Sequence, residues 1–196
     1  MSAVGFLAAQ APDAEARRIF DDDVAELGYV MNVSKLWAYQ PATLNHLFTL
    51  MGETYATEDL TFRQRGILVT ACASTVGDAY CSLAWGTKLA SKSDAETAAG
   101  ILRGVDDRLT LAEQAMVRWA RKVVRDPNHT SAADVQELRD AGFGDAQIFA
   151  MTAYVALRLA FSTINDALGA RPDSAFRSSA PEAVLDAVDY GRPIDE

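Results

Sequence analysis

The chain has 196 residues, 49% of them hydrophobic and 23% charged, and its 35 alanines against 12 glycines and 6 prolines exclude disorder and point to an all-helical domain. Its 18 Lys and Arg against 27 Asp and Glu leave a net charge of −9, without the basic footprint that nucleic acid or an anionic membrane surface requires. Two cysteines make no disulfide framework, so a reducing, cytoplasmic setting is expected.

The opening MSAVGFLAAQAPDAEARRIF lacks the basic n-region of a signal peptide. From Pro12 to Leu27 a short acidic helix is predicted, closed by Gly28. Asn32 is expected to cap a turn running to about Tyr39, and Pro41 to open a helix carrying Leu44, Leu47, Phe48 and Met51 at helical spacing. Three later helices carry the signature of a capping box: Thr61-x-x-Gln64, Ser93-x-x-Glu96 and Thr110-x-x-Glu113. The helix after Thr110 is two-faced, with Met116, Trp119 and Ala120 on its apolar side and Arg118, Arg121 and Arg125 opposite.

A short helix through Val135 and Leu138 stops at Gly142, and a long apolar helix then runs from Asp145 to Leu168. Gln147, Thr152 and Arg158 interrupt that run, so a helix buried in a bundle is expected rather than a membrane span. With the apolar stretch from Phe62 to Val76, it implies a central buried helix pair surrounded by polar-faced helices. Residues 1–169 are read as one helical domain. Residues 170–196, with three of the six prolines, are read as an arm that packs on its own domain or a neighbouring subunit, or stays a partly ordered tail.

Most site signatures are absent. There is no phosphate loop, no HExxH and no nucleophile elbow, and His46 and His129 with two separated cysteines argue against a protein-only zinc site. The informative segment is Ser74 to Lys88. Gly77 breaks one helix, Asp78 is a good N-cap for the next, and Cys81 falls near the third position of its first turn. Free amides and the helix dipole there favour a thiolate, whereas the Asp78 carboxylate opposes it, so the net sign stays open. Free cysteines are more often buried small apolar residues, which is the other reading of Cys81, and Cys72 reads as a core residue that can meet Cys81 only across the bend.

Over roughly residues 20–169 the chain resembles the carboxymuconolactone decarboxylase and alkyl hydroperoxidase D-like (AhpD-like) superfamily, most closely its peroxidase-related branch. The resemblance rests on an ordered set: Leu27-Gly-Tyr-Val-Met-Asn-Val, Leu36 and Pro41; Leu60-Thr-Phe-Arg-Gln-Arg-Gly; Asp78-Ala-Tyr-Cys-Ser-Leu-Ala-Trp; Leu109-Thr-Leu-Ala-Glu-Gln-Ala-Met; Asp126-Pro; Leu138-Arg-Asp-Ala-Gly-Phe-Gly-Asp; and Asn165-Asp-Ala-Leu-Gly. It implies an AhpD-like helical bundle, no bound cofactor, and a homo-oligomer with dimer, trimer and hexamer open. In redox-active relatives a Cys-x-x-Cys pair, with a Glu and a His as proton relays, reduces hydroperoxides. Carried onto this chain, the attacking cysteine is Cys81, the resolving cysteine's place is Asp78, the His place is Trp85 and the Glu place is Gly66.

The resemblance therefore implies a thiol-dependent hydroperoxide reductase-like antioxidant protein, weak or inactive for want of relay residues, that works through Cys81 and an external thiol reductant. Two alternatives stand beside it. One is a non-redox lyase or isomerase acting on a small carboxylate, with Arg63, Arg65 or Lys88 supplying charge and Tyr80 and Trp85 walling a pocket; the other is a non-catalytic oligomeric module. The arginines also read as solvated surface, and Tyr80 and Trp85 as core packing.

Overall fold

In the computed structural model, which describes residues 3–196, the elements follow the cap signals closely. Met1 and Ser2, the start of the stretch that lacks the basic n-region of a signal peptide, lie outside the described residues. Among the described residues a two-stranded antiparallel ribbon, β1 (Ala3–Val4) and β2 (Leu7–Ala8), precedes eleven α-helices and one short 3-10 turn at Pro127–His129. In α1 (Ala14–Leu27) the Asp13 carboxylate accepts from the amides of Glu15 and Ala16, and Gly28 ends the helix at φ 83°. Helix α2 (Asn32–Trp37) departs from expectation because Met31, not Asn32, is its N-cap residue. The free amide of Asn32 is instead satisfied from the far end of the chain, by Asp173 at 2.8 Å, and its side chain donates to the Arg171 carbonyl.

Pro41 opens α3 (Pro41–Thr57), which buries Leu44 and Met51 and leaves Phe48 exposed. Complete capping boxes start α4 (Phe62–Val76) at Thr61 and α7 (Leu111–Arg125) at Thr110. The box expected at Ser93 does not form. Asp94 caps α6 (Ala95–Arg103), because its carboxylate takes both the amide and the hydroxyl of Thr97, at 2.8 and 2.7 Å. A box that sequence reading passed over, Ser131 with Asp134, opens α8 (Ala132–Asp140).

Helix α4 is the most enclosed element, buried without a break from Gly66 to Ala73. It packs against α5 (Ala79–Lys92), α6, α7 and α9 (Asp145–Ala167), while α9 also lines α3, α7 and α8. Helix α9 is long and apolar enough by composition to cross a membrane, but it packs along these four helices and buries Met151, Tyr154, Arg158 and Asn165 among them.

Residues 170–196 pack on the same chain. They include α10 (Phe176–Ser179) and α11 (Glu182–Ala187), whose fully buried Val184 lies against α5 and α6. Gly191 reaches the turn before α5 so closely that a Cβ there would stand 2.4 Å from the Gly77 carbonyl oxygen and 2.9 Å from the Ala79 amide, and its φ of 71° suits glycine alone. Gly191→Ala is therefore expected to lower stability by about 1–3 kcal/mol and the melting temperature by several degrees. Thermal unfolding together with limited proteolysis of the arm checks this; an unchanged melting temperature contradicts the packing.

Candidate functional site

The site is built where α4 ends and α5 begins. Gly77, at φ 77°, ends α4, and Asp78 turns the chain into α5, with one carboxylate oxygen accepting from the Cys81 amide at 2.9 Å. This is the capped, third-position cysteine that the sequence implies. Asp78 is fully buried and Cys81 is 2% exposed. The second oxygen of Asp78 has no hydrogen-bond partner, and the carboxylate faces the thiol it caps.

On the other side of the sulfur stands α9. Arg158 directs Nη2 to Cys81 Sγ at 3.4 Å, and the Ser162 hydroxyl lies 3.7 Å from the same sulfur. The two residues are one helical turn apart, so one face of α9 presents both to the thiol. Arg158 is 4% exposed, with its guanidinium 5.4 Å from the Trp85 ring, 5.1 Å from the Phe161 ring and 3.9 Å from Met51 Sδ. Among the described residues it makes no ion pair within 4 Å, and its Nε has no partner. Burying an unpaired charge costs several kcal/mol, so this guanidinium is a feature that packing alone does not explain.

The sign left open by the sequence is now decided. Burial pushes the Cys81 thiol up first and the Asp78 charge pushes it further, while Arg158 and Ser162 pull it down without reversing the balance. Cys81 therefore rests as a thiol beside a carboxylate that can take its proton and a guanidinium that can hold the resulting anion. Cys72 is also a free, buried thiol, pushed up to about 12 mainly by burial.

The remaining sequence candidates separate. Trp85 joins the cluster, half-buried, between Arg158, the Phe62 ring at 5.8 Å and Lys88. Arg65 lies over the Tyr55 ring at 4.0 Å, and Tyr55 meets Tyr154 edge-on at 5.9 Å, so Arg65 borders the cluster without reaching the sulfur. Arg63 does not join it. Its guanidinium is tied to Glu113 at 2.6 Å and to Ser93, which turns it toward α7. Tyr80 faces the arm, donating its hydroxyl to Asp173 and packing edge-on against Phe176. At Gly66, a Cβ would stand 3.2 Å from Leu89 Cδ1, so Leu89 fills the space next to the place of the family's Glu. Sequence reading missed Arg158 and Ser162; the available signal was an arginine in the middle of the most apolar helix. Among the described residues no group of His, Cys, Asp and Glu could hold a metal ion.

Asp166, near the end of α9, is half-buried, and its carboxyl is pushed up to about 7 by burial first and by the Asp78 charge second, against the pull of Arg192. An acid that is harder to ionise folded than unfolded favours the folded state below its unfolded value and loses that contribution as pH rises to its folded value. The melting temperature of Asp166→Asn relative to wild type is therefore expected to rise between about pH 5 and about pH 8. Parallel melting curves across that range contradict it.

No family model matches the chain, and a search of curated proteins finds no similar sequence. Solved structures do match. An uncharacterized peroxidase-related protein from Silicibacter sp. TM1040 superposes with a TM-score of 0.79 at 21% identity, over 91% of this chain and 96% of the other. The fold is AhpD-like. The alkylhydroperoxidase AhpD core of an uncharacterized peroxidase-related protein from Ralstonia eutropha JMP134 matches with a TM-score of 0.79 at 20% identity, over 90% of this chain and 96% of that one. The debrominase Bmp8, as a cysteine-to-alanine variant in complex with 2,3,4-tribromopyrrole, matches with a TM-score of 0.73 at 16% identity, over 96% of this chain and all of the other. The AhpD-like bundle thus stands here with a single cysteine at the start of α5, set between a carboxylate and a guanidinium.

Proposed function

We propose that the chain is a single-cysteine, thiol-dependent reductase of small molecules. The observation that carries this is the Cys81 thiol between Asp78 and Arg158, which supplies a proton acceptor and an anion stabiliser where the relay residues of the resembled family are missing. With a hydroperoxide, Asp78 takes the thiol proton and the thiolate attacks the outer oxygen. The O–O bond breaks, and the departing alkoxide takes the proton held on Asp78. Cys81 is left as a sulfenic acid and the hydroperoxide as an alcohol. One external thiol then condenses with the sulfenic acid, releasing water, and a second reduces the mixed disulfide back to the free thiol.

A second substrate class, brominated aromatic rings, draws support from two observations. The rings of Trp85 and Phe161 flank the Arg158 guanidinium, and one structural neighbour is a debrominase. The reading also carries a cytoplasmic setting and an assembly of identical chains, to which exposed apolar residues such as Phe48 and Phe149 are suited. For the lyase alternative, Arg63, one of its carboxylate-binding candidates, is occupied by Glu113, while Arg65 and Lys88 remain.

The test is a turnover assay with dithiothreitol as reductant, using cumene hydroperoxide and 2,3,4-tribromopyrrole as substrates. Multiple turnovers with either are expected, and the preferred one names the class. Rates equal to the protein-free background with both contradict the proposal.

A further inference from the structure

The buried charge around Cys81 does not balance. Among the described residues Arg158, at least nine-tenths buried, carries a free Nε and has no carboxylate within 4 Å, and the half-buried Arg65 at the edge of the cluster also has a buried Nε without a partner. Against these two guanidiniums stands one buried carboxylate, Asp78, which is occupied on one oxygen by the Cys81 amide. The thiol rests protonated and supplies no negative charge. Among the described residues the Arg158 Nη groups reach only the sulfurs of Cys81 and Met51, at 3.4 and 3.9 Å, and its Nε meets no acceptor, on a cation whose flanks are aromatic rings.

That combination fits a planar anion. A guanidinium recognises a carboxylate or a related delocalised anion through its fork of N–H groups, and the rings of Trp85 and Phe161, 5.4 and 5.1 Å from its centre, offer flat apolar faces to the rest of a small aromatic molecule. Cys81, Asp78 and Arg158 are enclosed, whereas Trp85, Phe62, Tyr55 and Arg65 are half-buried and form the side of the cluster nearest solvent.

We propose that the Cys81 site takes an acidic aromatic small molecule, with its anionic group seated on the Arg158 guanidinium between Trp85 and Phe161. This deepens the reductase reading by naming the charge of its substrate, but it concerns binding, which is separable from the chemistry of the thiol. Arg158 is then a substrate-binding residue as well as the stabiliser of the thiolate, and a neutral molecule of the same shape binds poorly.

The experiment is calorimetric titration of the purified protein with benzoate and with benzamide, which share a shape and differ in charge. Wild type is expected to bind benzoate at one site per chain and benzamide about tenfold to a hundredfold more weakly. Arg158→Met is expected to lose the preference, and Arg158→Lys to keep part of it. Cys81→Ser, which removes the chemistry and keeps the Arg158 charge, is expected still to prefer benzoate. Replacing an unpaired buried charge by an apolar residue of similar length favours folding, and circular dichroism checks that; if Arg158→Met does not fold, the wild-type and Arg158→Lys preferences decide the matter.

The proposal is overturned if wild type binds neither compound, if it binds benzamide as tightly as benzoate, or if folded Arg158→Met binds benzoate as tightly as wild type. Failure of the reductase reading looks different: benzoate binding survives intact while no electrophile is turned over.

Discussion

Cys81→Ser is expected to reduce thiol-dependent turnover by at least about 10³-fold, to background, while the fold persists. The substitution is close to isosteric, and the new hydroxyl can accept from Arg158 where the sulfur lies at 3.4 Å. Folding therefore survives, but a serine hydroxyl at this place has no strong base to activate it and cannot cycle through a sulfenic acid. Cys72→Ser is the control. Cys72 sits inside α4, buried, with its thiol pushed up to about 12. Its replacement is expected to leave kcat within about twofold, because no step of the proposed chemistry passes through it. Steady-state kinetics of the two variants check both statements, and retained turnover in Cys81→Ser removes the thiol from the reaction.

Asp78→Asn carries the second large effect, and it separates two properties that usually move together. Asparagine is as good an N-cap as aspartate, so its side-chain oxygen keeps the bond to the Cys81 amide and the start of α5 is preserved. Two things change. The proton acceptor facing the thiol is gone, and turnover is expected to fall by about 10²–10⁴-fold. The negative charge that pushes the thiol up is also gone, so the Cys81 thiol is expected to titrate lower than in wild type. The variant should therefore be slower as a catalyst yet faster toward iodoacetamide at a given pH. A purely structural Asp78 predicts both rates falling together, and paired kinetic and alkylation measurements distinguish the two outcomes.

Much of this arrangement is legible in the sequence because it is local. Gly77, Asp78 and Cys81 occupy successive places in one turn, and the preference of aspartate for an N-cap and of glycine for positive φ places them without tertiary information. The capping boxes at Thr61 and Thr110 are local in the same way. Where two neighbours can cap, tertiary contacts choose. Asp94 displaces Ser93 at α6, and the hydroxyl of Ser93 is left to accept from Arg63. Asn32 loses its expected capping role because the arm brings Asp173 to the amide of α2 from 141 residues away.

The cationic half of the site was not legible for the same reason. Arg158 lies 77 residues from Cys81, and only the packing of α9 beside the turn between α4 and α5 brings them together. In the sequence Arg158 is visible as an interruption of an apolar run, which argues against a membrane span but names no partner. Tyr80 shows the converse. It is adjacent to the cysteine in the chain, yet its place on α5 turns it to Asp173 and Phe176 of the arm. Adjacency in sequence thus overstates a shared site on a helix, where successive side chains point about 100° apart.

The central claim is that the enclosed Cys81, rather than Cys72, is the reactive thiol of this fold. Its most direct measurement is the mass of the intact protein, and of its peptides, after treatment with one equivalent of hydrogen peroxide in the presence and absence of dimedone. A single dimedone adduct per chain is expected, located on Cys81 and lost in Cys81→Ser. An unmodified protein, or an adduct on Cys72 alone, would contradict Cys81 as the peroxide-reactive thiol of this fold.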